Sequence, residues 1–370
     1  MKVMFLAHSL GLAGAERQMA VLSAGLARRG HQISVVTFYP NGAFQEDLRS
    51  AGVRVLSPRK HSRLDVIGFL ARLANLVRRE QPDILHSYLE SANILASVLK
   101  PMRRRMRVVW GVRCSSKELR HYDRVERVIA KLEPKFAFAA DRIIVNSKAG
   151  SADAVLDGFP SSRLLVIANG IDTAYFRRDA EAGHRFRAEL KIPDSARLVG
   201  RIGRFHPMKD YPTFLEAAAL IRRSRPEVRF LCLGKGSGPE KAEIERLIRE
   251  LHLGTCVSVL DPLRDMRAVY SALDLLVSSS AFGEGFPNVV AESLACETPC
   301  VGTDVGDTSL LLEPGLVVPP RSPGALAAAC CRLFDGGHPW DGRQARRRIQ
   351  EEFGVKRLIE HTEQALAGCL

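Results

Sequence analysis

Short runs of β-branched and apolar residues alternate with longer helix-periodic stretches along nearly the whole of this 370-residue chain. Strand-like runs fall at 2–7, 33–38, 53–56, 84–87, 108–112, 142–146 and 164–167. A second series falls at 197–202, 229–233, 257–260, 275–278, 299–302 and 316–317. Helical patterns lie between, among them 16–29, 65–79, 211–223 and 240–251. This order predicts parallel sheets covered by helices on both faces. The two series part near 172–196, so the expected fold class is α/β, with two doubly wound domains at 1–175 and 190–345. The segment 342–370 reads as helical and amphipathic, and its 346–370 part either caps the second domain or crosses back to the first. Ligands of open parallel sheets bind beyond the carboxyl ends of the strands. The cleft between the two domains is therefore the expected site.

Composition narrows the function classes. No apolar run reaches the roughly 18 residues that span a bilayer. The five-residue apolar run after Lys2 is too short for a signal-peptide core and reads as a first strand. The eight cysteines (114, 232, 256, 296, 300, 330, 331 and 369) form no Cys-x-x-Cys pair and have no His cluster beside them. Reduced thiols, no zinc site and a cytoplasmic location are the expectation. Net charge is +13, and all of it lies in one half: residues 1–180 hold 29 Lys and Arg against 16 Asp and Glu, while 181–370 hold 25 of each. The densest points are Arg103, Arg104, Arg105 and Arg107, then Arg113, Lys117, Arg120, Arg124 and Arg127. An excess over a whole domain points to an acidic partner. Anionic lipid, contacted through 94–107, or a phosphorylated acceptor fits best. Nucleic acid is not expected, because no interleaved aromatics or reading motif accompany the charge.

Three places carry chemistry. The first is 284–292, where Glu284 and Glu292 bracket Gly285, Phe286, Pro287, Asn288 and Val289. It follows a strand-like run and opens a helix-like one. Glu284 is expected in the turn at the helix mouth and Glu292 two turns down the same side. A helix mouth offers backbone N–H groups to phosphate. Acids on either side of an anion site suit a ligand with hydroxyls at both ends and phosphate between, the layout of a nucleotide-sugar. The second place is the loop after 197–202, where Arg204 offers a planar fork and Lys209 a point charge, a pair suited to diphosphate. The third is glycine in two βα turns: Gly14 within 10–16, and Gly234 within 233–238. Glycine lets backbone approach a ligand closely, but a plain tight turn explains Gly234 equally well.

The strand-Gly-Arg-Phe-x(4)-Lys segment, the Glu-x(7)-Glu block and Asn169-Gly170-Ile171-Asp172 together resemble glycosyltransferase family 4 in order and spacing, from the first glycine-rich turn to Val317-Val318-Pro319. The resemblance implies the GT-B fold, two Rossmann-like domains facing each other across a cleft. It implies an enzyme that transfers a hexose with retention from a UDP- or GDP-linked donor held by the C-terminal domain. The acceptor, a glycan or lipid-linked glycan of surface-polysaccharide assembly, would meet the N-terminal domain at the inner face of the cell membrane. No cofactor and no metal are implied, and the chain contains no Asp-x-Asp. By this likeness Glu284 contacts the donor sugar and Glu292 the ribose. Gly234 and Leu263 lie toward base and ribose, and the amides of Phe286 to Val289 hold phosphate. Gly14 approaches that phosphate, and Arg204 and Lys209 stabilise the leaving diphosphate.

One position departs from the family. A His is frequent after the strand that here reads 108–112, and the aligned residue is Arg113. Arg stays protonated and cannot be a general base. It can hold the sugar or an acceptor phosphate. His86, at the end of 84–87, is the other polar group on the acceptor side, and a lone His at a strand end is more often structural. No acid in the matched N-terminal motifs is an evident nucleophile, which favours a front-face reaction over a covalent intermediate. Competing readings are a nucleotide-sugar epimerase of related fold and a non-enzymatic membrane-binding protein. A nicotinamide dehydrogenase fits least, since the first turn lacks the dinucleotide fingerprint.

Overall fold

A computed structural model describes residues 1–370 except 12, 63, 114, 116 and 117. Leu12 of the first glycine-rich turn, Cys114 and Lys117 of the basic run therefore lie outside the described residues. The chain divides into two compact units, one formed by 1–170 with 355–370, the other by 171–354.

The first unit holds seven strands: β1 (Lys2–Ala7), β2 (Gln32–Thr37), β3 (Arg54–Leu56), β4 (Ile84–Tyr88), β5 (Arg107–Val112), β6 (Arg142–Val145) and β7 (Leu164–Val166). They form one sheet in the order β3-β2-β1-β4-β5-β6-β7, with every ladder parallel. Alternation along β1 shows why both faces need cover. Met4 and Leu6 enter one buried cluster with Phe69, Leu73 and Trp110, while Val3, Phe5 and Ala7 enter another with Met19, Leu22 and Leu26. Met19, Leu22 and Leu26 recur at helical spacing on the Gly14–Arg28 helix, which lays that stripe on the sheet.

The second unit holds β8 (Leu198–Ile202), β9 (Arg229–Leu233), β10 (Val257–Leu260), β11 (Leu275–Ser278), β12 (Cys300–Thr303) and β13 (Val317–Val318), in the order β10-β9-β8-β11-β12-β13. These ladders too are parallel. Both sheets thus reverse direction once, between β1 and β4 and between β8 and β11. In doubly wound sheets that switch point is where ligands bind.

The carboxyl-terminal segment is two helices rather than one. Gly342–Phe353 ends at Gly354, and Val355–Ala367 follows. The first belongs to the second unit and the second to the first unit. Within the first unit, Val355–Ala367 lies along Gly14–Arg28. A Cβ on Gly25 would stand 2.2 Å from Ile359 Cδ1, so a larger residue there would push the Ile359 side chain aside. Arg29 Nη2 reaches Glu363 Oε2 at 2.7 Å, and Leu358 and Leu366 are fully in the core.

Candidate active site

In the second unit the loops beyond β8 and β11 carry the sequence-derived residues. Arg201, the fourth residue of β8, is completely buried. Its guanidinium donates to Lys209 O at 2.6 Å, Ser279 Oγ at 3.0 Å, Ser280 Oγ at 3.3 Å and Ile202 O at 2.6 Å. Ser279 Oγ donates in turn toward Lys209 O and Asp210 O, each at 3.0 Å. A buried charge is tolerable only with such partners. Here it ties the loop after β8 to the loop after β11.

That tie brings two predicted residues together. Lys209 Nζ forms an ion pair with Glu284 Oε1, and Ser280 Oγ donates to the same oxygen at 2.6 Å. Glu284 Oε2 carries neither bond. Burial alone would raise the Glu284 carboxyl; the Lys209 ammonium, the Lys209 and Ser280 hydrogen bonds and Arg201 outweigh it and hold the pKa below the ordinary value. Burial lowers the Lys209 pKa more than Glu284 restores it, with Arg201 and Arg204 adding repulsion. Arg204 itself is exposed.

The helix Asn288–Ala295 begins just past Glu284, with Pro287 as N-cap residue and no side-chain cap. The first N–H groups of a helix in general lack partners within it, and here Val290 N donates back to Pro287 O at 3.0 Å. Pro287 has no N–H and so adds no donor at this mouth. Glu292 is buried on this helix and its Oε2 accepts from Tyr270 Oη at 2.8 Å. Because the helix starts at Asn288, Glu292 lies about one turn below the mouth, not two. The residues Gly285 to Pro287 are a non-helical lead-in. Glu284 and Gly285 are clamped from behind: a Cβ on Gly306 (φ +63°) would stand 2.5 Å from both their carbonyl oxygens, and Asp307 N donates to Gly285 O at 3.0 Å.

Gly234 has a local reason to be glycine. A Cβ there would stand 1.7 Å from Gly203 O, and Gly234 N donates to Leu260 O at 3.0 Å. This residue lets the loop after β9 lie flat against the loop after β8. Leu263, in the loop after β10, lines a groove of about 450 Å³ with Phe186, Leu190, Leu260 and Arg264, and Leu260 O accepts from Gly234 N at 3.0 Å.

In the first unit Gly14 is the first residue of the helix after β1, with Ala13 as N-cap residue. Arg113 follows β5. Its guanidinium sits 4.3 Å from the centre of the Tyr88 ring, and Nη1 donates to Asn169 Oδ1 at 3.4 Å. His86 is wholly enclosed between Phe5 and Tyr88, with Nδ1 donating to Val109 O at 3.1 Å. Burial, then the Arg113 charge, pushes its pKa down to about 3, so the ring is neutral. His86 therefore offers no surface to an acceptor; it supports Tyr88, on which Arg113 rests.

Sequence reasoning missed Arg201, Ser280, Tyr270 and Gly306. Only Arg201 had a signal, an ionic residue inside an apolar strand run. Among the described residues no group of three or more His, Cys, Asp or Glu could hold a metal ion, and no helix is long and apolar enough to cross a membrane.

Residues 12–175 match the family model described as Glycosyltransferase Family 4, and residues 196–336 match that described as Glycosyl transferases group 1. A D-inositol 3-phosphate glycosyltransferase of Corynebacterium urealyticum is 34% identical over 208 residues, which cover 53% of this chain and 49% of that protein. The chain spans about half the length of the curated relatives it matches. Among solved structures, Anabaena Alr3699/HepE in complex with UDP-glucose superposes with a TM-score of 0.85 at 22% identity, covering 100% of both chains. Sucrose-phosphate synthase from Thermosynechococcus elongatus superposes with a TM-score of 0.81 at 21% identity, covering 100% of this chain and 99% of that one. At these identities the likeness is one of fold.

Proposed function

Because the chain belongs to glycosyltransferase family 4 and has the GT-B fold, we propose that it is a retaining, metal-independent hexosyltransferase using a UDP- or GDP-linked donor. The observation that carries this reading is the convergence of Lys209, Glu284 and Ser280 beyond β8 and β11, the two strands at the switch point, beside the start of the Asn288–Ala295 helix. Glu284 orients the donor hexose through its hydroxyls, and Glu292, steadied by Tyr270, takes the ribose. Arg204, Lys209 and the amides of Phe286, Asn288 and Val289 take the diphosphate. In the reaction the bond from the anomeric carbon to the diphosphate oxygen breaks. The acceptor oxygen bonds to that carbon on the same face, and its proton passes to the leaving phosphate. Positive charge already fixed at the leaving group lowers the barrier without reorganisation.

The basic excess of residues 1–180 supports an acidic acceptor, a phosphorylated or lipid-linked glycan, met at the inner face of the cell membrane. Arg113 would hold its anionic group. A relative named for inositol 3-phosphate and a structural neighbour holding UDP-glucose make these the first compounds to try. The test is thermal unfolding with UDP-, GDP- and ADP-sugars, since a bound ligand stabilises by mass action. One UDP- or GDP-sugar should raise the midpoint, with Glu292→Ala weakening that binding and Glu284→Ala lowering kcat more than donor affinity. Wild-type behaviour of both variants would remove the site assignment. Incubation with donor alone should leave the sugar unchanged, and an epimerised product would replace the transferase reading.

A further inference from the structure

The Arg124–Phe136 helix breaks the usual rule for a surface helix. Val125, Val128 and Leu132 recur at three- and four-residue spacing on one face, and that face is exposed, at 59%, 54% and 37% respectively. The side toward the protein carries Ile129 and Phe136, both partly buried and the latter packed on the core, together with a carboxylate. Glu133 is buried, and its Oε1 accepts from Asn93 Nδ2 at 2.7 Å; Asn93 Oδ1 accepts from Ser87 Oγ at 2.7 Å. This polar tether to β4 and to the Glu90–Leu99 helix holds the helix with its acid inward and its valines outward. A capping box between Asp123 and Glu126 fixes its start, with Glu126 N donating to Asp123 Oδ1 at 2.8 Å.

Next to the apolar stripe runs a basic one. Arg124, Arg127, Lys131 and Lys135 repeat at the same spacing and are all exposed. Just beyond the helix Phe138 is 64% exposed. An exposed apolar face marks an interaction site. A face that is half apolar and half cationic complements a surface that is greasy below and anionic above, which is a bilayer with acidic headgroups.

We infer that this helix docks the protein on an anionic lipid bilayer, its apolar stripe at the acyl boundary and its cations among the headgroups. The inference deepens the membrane part of the reading above and rests on it for the setting, not for the geometry. It adds a contact outside 94–107, a stretch that exposes Val98, Arg104 and Arg105 but buries others. Ala96, Leu99 and Met106 of that stretch are core residues, and Arg107 is paired with Asp141.

The test is co-sedimentation with vesicles of mixed phosphatidylcholine and phosphatidylglycerol, against vesicles of phosphatidylcholine alone. The wild-type chain should bind the mixed vesicles and not the neutral ones, and added salt should weaken it. Val128→Gln with Leu132→Gln should weaken binding roughly tenfold or more through lost insertion. Lys131→Gln with Lys135→Gln should weaken it by about fivefold per cation. Wild-type binding by either double variant, or no binding of the wild type to mixed vesicles, overturns the inference. So does a solution dimer that Val128→Gln with Leu132→Gln converts to monomer, which would assign the face to a second copy. Midpoint and donor-induced stabilisation, measured on the same samples, should match wild type. A failed donor response with intact vesicle binding would instead fault the transferase reading.

Discussion

Replacing Lys209 by Met tests whether the loops beyond β8 and β11 are held by charge. Lys209, its side chain 13% exposed, lies against the buried Glu284, whose Oε1 accepts from it and from Ser280. Removing one member of a buried pair leaves the other uncompensated, at a cost of about 3–5 kcal/mol. Glu284 would keep the Ser280 bond and the nearby Arg201 charge. The expected loss is therefore about 3 kcal/mol, near the lower end of that range. Glu284→Gln leaves an ammonium facing an amide and should cost about 2 kcal/mol, in the range for a hydrogen bond to a charged group. In the double variant neither charge is stranded, so it should cost less than the sum of the singles by about 1–3 kcal/mol. The two units can unfold separately, so a single midpoint would mislead. Pulsed hydrogen exchange in urea, read by mass spectrometry on peptides from 198–210 and 275–295, isolates the second unit. Single-variant losses under about 1 kcal/mol, or additivity within about 0.5 kcal/mol, would refute the coupling.

Other outcomes follow from the same contacts. Glu284 has a folded pKa below its ordinary value, so the stability it contributes is present above the unfolded carboxylate range and lost as pH falls through the folded value; Glu284→Gln should flatten the acid limb of second-unit stability. His86, neutral in the fold with a pKa of about 3 against 6.5 ordinarily, works through the unfolded state, which binds the extra proton below 6.5. First-unit stability should fall by up to about 1.4 kcal/mol per pH unit through that window, and His86→Phe should remove this slope in acid urea titrations. Gly234→Ala places a methyl 1.7 Å from Gly203 O. It should cost about 1–3 kcal/mol in urea unfolding and weaken donor binding by displacing the loop that carries Lys209.

All thirteen strands were legible because β-branched runs between helical patterns have few other solutions, and the boundaries moved by only a residue or so, as 299–302 became Cys300–Thr303. Glu284, Lys209 and the helix opening at Asn288 were legible too, since their chemistry and their position after strands coincide. The depth of Glu292 was overestimated: counted from Asn288 rather than from Glu284, it lies about one turn below the mouth.

What the chain could not declare by itself was which residues meet. Strand order decided that β8 and β11 are neighbours, and so that Arg201 reaches Ser279 and Ser280, almost eighty residues away. Gly306 is needed as glycine only because its loop lies under Glu284, and Tyr270 matters only because a different helix turns Glu292 toward it. The break at Gly354 sends the last helix to the first unit, where Gly25 admits Ile359, and local periodicity holds no record of that partner. The Arg124–Phe136 helix is the sharpest case. Its pattern offers two apolar sides, and the packing of Phe136 on the core with the buried Glu133–Asn93 tether turned Val125, Val128 and Leu132 out. Period and propensity are local quantities, whereas burial is set by whatever else the folded chain brings to the same place.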